Sequence, residues 1–252
     1  MGSEMCIRDR FCGWVRVGHR PAENTLSVTV SESLLPVLPE VLARIKNLFD
    51  LYCEPKAVYE TLQVMNTLQP GLCVLGTRLP GCFNVFEMSV RAVLGQQITV
   101  KAASTLAARL VAVYGTQVQT GIEGLTHSFP APAAILALGE NISEHLGKLG
   151  IISARANTIY QLARVLADEK NDFGFCGNPE EEMQKLQAIR GIGSWTAQYI
   201  AMRAMGWPDA FLPTDAGIKK ALPDHTPKEL QVLSEAWRPW RSYATVNLWN
   251  TL

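Results

Sequence analysis

Residues 186–215, LQAIRGIGSWTAQYIAMRAMGWPDAFLPTD, constrain the fold more than any other stretch of the chain. Just upstream, Asn178-Pro179-Glu180-Glu181 opens a helix: Asn caps, Pro takes the first helical position, and Glu181 lies three residues past the cap. That helix ends at the tight turn Ile189-Arg190-Gly191-Ile192-Gly193. A second helix starts at Ser194 and runs to about Met205, with Trp195, Tyr199 and Met202 on one face. Two glycines one residue apart imply positive φ and a surface bare of Cβ atoms. The amides from Gly193 onward then sit unpaired at a helix N-terminus, a geometry that suits a phosphate oxygen. On the turn alone, a packing corner of the core explains the pattern equally well. The end of the stretch favours function: Pro213-Thr214-Asp215 sets one carboxylate at the start of another helix.

The rest of the chain is globular in composition. At 252 residues it can bury a sizeable core, and 48% hydrophobic against 18% charged residues is the balance of a folded protein. No apolar run approaches the roughly 18 residues of a membrane span, and no signal peptide is apparent, which predicts a cytoplasmic location. The six cysteines are scattered without a CxxC or Cys/His cluster, the pattern of reduced thiols. A formal net charge of +0 argues against a uniformly basic nucleic-acid binder. From residue 184 onward, however, eight Lys and Arg stand against five Asp and Glu, a mild local basic excess.

Residues 1–10 show no helix or strand period and are expected to be non-native or disordered. FCGWVRV and TLSVTVS alternate around a turn-rich HRPAEN, which predicts a β-hairpin. A hairpin cannot form a stable sheet alone and needs further packing partners. An amphipathic helix is predicted over 39–51, with Val41, Ile45, Leu48, Phe49 and Tyr52 on one side. A shorter helix begins near Pro55. Asn84 caps the next, with Glu87 three residues on, and it ends in Leu94-Gly95-Gln96-Gln97-Ile98. Thr99 caps a helix that runs to Tyr114 and stops at Gly115. Taken alone, the Gly-Gln-Gln corner reads as solvent-exposed, because amides are costly to bury unpaired. Short helical turns occupy 130–139 and 141–150, then a firm helix covers 153–168, and a linker, KNDFGFCGN, leads on. Beyond Asp215 come a helix with Lys219 and Lys220, a Thr226–Glu229 capping box, and a last helix carrying Trp240, Tyr243 and Trp249. The chain stops at Leu252 without a cap, so its C-terminus is expected to be clipped as well. The overall class is α+β, predominantly α-helical.

LxxIxGIGxWTAxYIAMRA…FLPTD resembles the helix-hairpin-helix DNA glycosylase superfamily, and within it the bacterial alkylpurine glycosylase branch, the 3-methyladenine DNA glycosylase II type. LPGCFNVFEMSVRAVLGQQITVKAA (79–103) and EAWRPWRSYATVNLWNTL (235–252) extend the resemblance to roughly residues 25–252. It implies an N-terminal α/β domain with a longer antiparallel sheet, of which 11–60 are a part whose start is expected to be truncated, a helical domain over 85–208 containing the helix-hairpin-helix at 179–205, and a second helical domain from 61–84 and 209–252 that carries the catalytic Asp. It implies Asp215 as the catalytic residue, and Trp195, Tyr199, Trp249 and Gln96 in the base pocket. Asn250 departs from an aromatic in the bacterial prototype. The corner between the helices of 85–94 and 100–114 would face DNA and fill the gap left by an extruded nucleotide; Gln97 stands where the prototype has an apolar wedge, and Ile98 shares the position. The backbone of DNA would meet Arg190, Gly191, Gly193, Thr196 and Lys219. The carbonyls of Gln187, Ile189 and Gly191 match a monovalent-cation site at the hairpin. Some relatives carry four closely spaced cysteines for an iron–sulfur cluster near the C-terminus; here no cysteine follows Cys176, and no other cofactor is expected.

The residues suit that chemistry. A base inside duplex DNA must rotate out before it can be attacked, at a cost of a few kcal/mol that is smaller for a damaged base. A purine methylated at N3 or N7 is cationic and already a good leaving group. It needs aromatic partners for its ring, each worth about 0.5–2 kcal/mol, and a fixed negative charge near the sugar. Any one of the aromatics is also explained by the core, and Asp215 by helix capping alone. Bifunctional relatives place a nucleophilic lysine shortly after the hairpin glycines; Trp195 stands there, which implies a monofunctional glycosylase acting as a monomer on double-stranded DNA with alkylated bases. The alternatives are a glycosylase for another damaged base and a non-catalytic DNA-binding protein that uses the hairpin alone.

Overall fold

The computed structural model describes residues 2–7, 11–167 and 178–252. Period-two alternation builds the first layer. Strands β1 (Gly2–Ile7), β2 (Phe11–Arg20) and β3 (Thr25–Val30) form an antiparallel sheet in the order β1-β2-β3. β2 and β3 are the expected hairpin, in register Val15↔Val30 to Arg20↔Thr25, and its turn closes through Asn24 at φ 50°. β1 pairs Gly2↔Arg16 through Ile7↔Phe11. Residues 2–7, for which the sequence shows no strand period, are thus paired with β2. Edge pairing is made by backbone N–H and C=O groups, so a strand can add without an alternating side-chain pattern.

Helix α1 (Leu38–Leu48) closes this layer, burying Val41 and Ile45 with Val15 and Leu34. It ends three residues before the predicted boundary. The Leu51 amide reaches back to the Lys46 carbonyl and Asp50 turns left-handed at φ 53°, so the chain leaves the helix axis and Tyr52 is exposed rather than on the buried face. α2 (Pro55–Leu62) comes next, and Val58 and Leu62 pack with the C-terminal helices instead of the sheet. The first layer therefore ends near Asp50, short of residue 60.

Asn84 caps α3 (Val85–Leu94) by accepting from Glu87 N at 2.8 Å, and Thr99 caps α4 (Val100–Tyr114) by accepting from Ala102 N at 3.2 Å. Two short helices, α5 (Pro132–Leu136) and α6 (Ile142–Gly147), lead to α7 (Ser153–Leu166), whose Ala156, Ile159 and Leu162 point inward as expected. Asp168 and most of the linker lie outside the described residues. Then come α8 (Pro179–Gln187) and α9 (Ser194–Arg203). After Asp215 the chain forms α10 (Ala216–Ala221), α11 (Pro227–Leu233) with the Thr226–Glu229 capping box, and α12 (Arg241–Trp249). Trp240 caps α12 and is not within it.

Two helical cores result. α3, α4, α5, α6 and α7 bury one side of α8 and α9, including Leu186, Ala197, Ile200 and Ala204. α2, α10, α11 and α12 enclose the other side of α9, with Met202, Phe211, Leu212 and Trp237. Tyr199 and Trp207 touch both cores. α9 is therefore their common wall, and its N-terminus opens where they meet. Among the described residues Cys53, Cys73 and Cys82 are free, and burial pushes the Cys82 thiol up to about 12. No helix among them is long and apolar enough to cross a membrane.

Candidate active site

The hairpin turn is shaped by its neighbours as much as by its own glycines. Asn178 caps α8 by accepting from Glu180 N at 3.1 Å. Gly191 has φ +95°, and a Cβ there would lie 2.1 Å from Thr158 Oγ1, so a side chain is excluded by conformation and by space. The Thr158 hydroxyl also stands 2.9 Å from the Arg190 carbonyl and 3.0 Å from that of Ala154, tying the turn to α7. Gly193 differs from expectation. Its φ of −88° is open to any residue, and a Cβ there would meet nothing within 4 Å. It caps α9, whose first backbone bond runs from Ala197 N to the Gly193 carbonyl at 3.0 Å. The amides of residues 194–196 precede that bond and are free of the helix ladder.

The Gly-Gln-Gln corner locks onto this turn. Gln96 Nε2 donates to the Gly191 carbonyl and to Thr196 Oγ1, both at 2.9 Å. The Gln96 carbonyl in turn accepts from the Arg155 guanidinium. Gln96, expected in the base pocket, spends both Nε2 protons on the hairpin. Thr196, expected at the DNA backbone, is buried, which puts its side chain out of reach of a phosphate. Gln97 is exposed and held left-handed at φ 54°, projecting from the braced corner, and Ile98 beside it is half-buried. Arg190 and Lys219 are exposed.

The acidic residue arrives on a pinned segment. Trp207 N bonds the Ala201 carbonyl at 3.0 Å, and Ser242 Oγ accepts from Ala210 N at 3.0 Å while donating to the Trp207 carbonyl at 2.7 Å. Asp209 is buried and held bidentate by Arg241, at 2.7 and 2.9 Å, with Arg238 at 2.6 Å. Six residues on, Asp215 caps α10. Its Oδ1 accepts from Gly217 N at 2.9 Å, Ile218 N at 3.1 Å and Trp249 Nε1 at 2.8 Å, and its Oδ2 from Trp195 Nε1 at 3.0 Å. The carboxylate thus caps a helix and also faces the aromatic cluster. Oδ1 is saturated; Oδ2 has one donor and keeps accepting capacity.

The aromatics meet as the helical spacing predicts. Trp195 and Tyr199 stack with centroids 5.2 Å apart and planes 9° from parallel. Trp249 lies 6.3 Å from Tyr199, tilted by 48°, and all three are half-buried. Two further participants escape the sequence reading. Arg203 sits 5.7 Å over the Tyr199 ring, one helical turn on from it, a spacing that is visible in the sequence. Gly217 lies against Trp249, a long-range contact that no local pattern announces.

The chain matches the AlkA N-terminal domain over residues 5–84 and the HhH-GPD superfamily base excision DNA repair proteins over residues 90–241, more than half its length. The chain belongs to the HhH-GPD superfamily. Within it, the chain is 38% identical over 230 residues to DNA-3-methyladenine glycosylase 2 of Escherichia coli (strain K12), covering 91% of this chain and 78% of that protein. It is 40% identical over 216 residues to a probable bifunctional transcriptional activator/DNA repair enzyme AlkA of Mycobacterium tuberculosis, covering 83% of this chain and 42% of that longer protein. In fold it is similar to the 3-methyladenine DNA-glycosylase from Archaeoglobus fulgidus, with a TM-score of 0.81 at 21% identity over 98% of this chain and 85% of that one. Hairpin, acidic segment and α9 all fall inside the HhH-GPD match, whereas Trp249 lies beyond it.

Proposed function

We propose that this HhH-GPD protein is a monofunctional DNA glycosylase that hydrolyses the N-glycosidic bond of alkylated purines, of the 3-methyladenine and 7-methylguanine type, in double-stranded DNA. The observation that carries this reading is the Asp215 carboxylate held between two indole N–H groups at the open end of α9. The hairpin binds the DNA backbone through the free amides of 194–196 and the exposed Arg190, with Lys219 from α10. Gln97 enters the gap behind the rotated nucleotide, with Ile98 at its base. The extruded cationic ring meets the faces of Trp195, Tyr199 and Trp249.

Bond cleavage takes the electron pair of C1′–N onto the leaving base and leaves positive charge on the sugar. Asp215, anchored through Oδ1, presents Oδ2 to that charge, and its fixed orientation avoids reorganisation as the charge develops. Water adds to C1′ and loses a proton, giving free base and an abasic site. Trp195 occupies the place of the lysine that would otherwise open the strand. The carbonyls of Ile189 and Gly191 each already accept one hydrogen bond and keep a lone pair. With the Gln187 carbonyl they would hold a monovalent cation, which would supply positive charge to offset a phosphate at the turn. The protein acts as a monomer in the cytoplasm, on the nucleoid.

Incubation with methylated duplex DNA tests the reading. Free 3-methyladenine and 7-methylguanine in solution, with strands that break only after alkali, are the expected products. Tight binding of that DNA without release of any base would leave a DNA clamp, and strand scission without alkali would contradict monofunctional chemistry.

A further inference from the structure

Gly217 stands at the second position of α10, where alanine is the better helix former and where no left-handed backbone requires glycine. Space explains it. A Cβ at 217 would lie 2.7 Å from Trp249 Cδ1 and 3.0 Å from both Trp249 Nε1 and Asp215 Oδ1. The obstructing group is a rigid bicyclic ring, already bonded to Oδ1 at 2.8 Å, so it could yield only by moving as a whole. Trp249 cannot both keep its bond to the carboxylate and accommodate a methyl group at 217.

We propose that Gly217 is a positioning residue for base release: by carrying no side chain it admits the Trp249 indole to the edge of the Asp215 carboxylate. This rests on the glycosylase reading and deepens it. The close approach fixes the tilt of Trp249 against Tyr199, and so one wall of the base pocket. It also supplies the third donor to Oδ1, leaving Oδ2 as the oxygen turned to the sugar. Gly217 touches neither base nor sugar in this scheme; it acts through Trp249.

Gly217→Ala separates this from a purely structural role. Single-turnover release of 3-methyladenine should slow by about 10- to 100-fold, the scale on which small misplacements cost rate. Affinity for an abasic-site duplex should stay within about twofold, and the thermal midpoint should fall no further than in Trp249→Ala, which loses the ring and its bond outright. In a Trp249→Ala background the same change should have no further effect on rate, since the obstructing ring is gone. The indole N–H proton resonance of Trp249, assigned by its loss in Trp249→Ala, should move upfield in Gly217→Ala as the bond to Asp215 lengthens; this reads the geometry whether or not any base is released. An active parent with an equally active Gly217→Ala, an unmoved Trp249 resonance, or equal slowing in the Trp249→Ala background would overturn the proposal. A parent that binds DNA and releases no base would instead overturn the glycosylase reading.

Discussion

Asp215 satisfies two demands with one side chain, and they can be separated by substitution. As the cap of α10 it accepts the Gly217 and Ile218 amides; as a charge it holds the Trp195 and Trp249 indoles. Asparagine keeps an acceptor oxygen for the cap, whereas alanine keeps none. Asp215→Ala is therefore expected to unfold in urea with about 1 kcal/mol less stability than Asp215→Asn. Equal stabilities would mean that the amide bonds contribute nothing. The capping half of this is legible in the chain, because Asp before a short helix is a local pattern. The indole half is not: Trp195 and Trp249 lie 20 and 34 residues away, and only folding brings them to opposite oxygens.

Among the elements, the same division holds. Asn84, Thr99, Asn178 and Thr226 all cap the helices that their spacing announces. Local chemistry misleads where a distant partner decides. Both hairpin glycines look conformationally necessary in the sequence, but only Gly191 is, because Thr158 fills the space beside it. Gln96 and Thr196, 100 residues apart, are joined by a hydrogen bond that no local pattern announces. Bracing that corner has a consequence for its neighbour. Gln97 projects from a backbone fixed by Gln96, Arg155 and the hairpin, which is what its proposed entry into duplex DNA would require. Gln97→Ala is expected to slow base release from paired duplex by about tenfold and to leave release from single-stranded DNA unchanged, since only a duplex has a gap to fill. Equal slowing on both substrates would assign Gln97 to the pocket instead.

At the scale of the whole molecule, α12 holds the parts together. Its Tyr243 hydroxyl donates to Asp50 at the end of α1, at 2.9 Å, and its Asn247 accepts from Val74 N at 3.0 Å and Thr77 Oγ1 at 2.8 Å. One helix thus anchors the N-terminal layer, the 71–81 loop and the wall residue Trp249. Burial raises the Asp50 carboxyl above its ordinary 3.8, outweighing the Leu79 amide, the Tyr243 hydroxyl and Arg78, which favour the anion. A raised folded value means that the native state binds this proton more tightly than the unfolded chain. Its stabilising contribution is complete below about 3.8 and is lost as pH rises through the raised value. Asp50→Asn keeps an oxygen for both donors and cannot ionise. The midpoint of the variant minus that of the parent should therefore grow more favourable to the variant as pH rises across that window; a flat difference would contradict the assignment.

In the proposed mechanism a fixed carboxylate, separate from the DNA-gripping hairpin, drives release of the base. Asp215→Asn tests it most directly, by single-turnover release of 3-methyladenine from duplex DNA alongside affinity for an abasic-site duplex. Removing a whole charge should exceed the roughly 10²–10³-fold loss typical of one neutral donor, so release is expected to fall by at least about 10³-fold while affinity changes by less than about threefold. Release by the variant at the parental rate would contradict that mechanism.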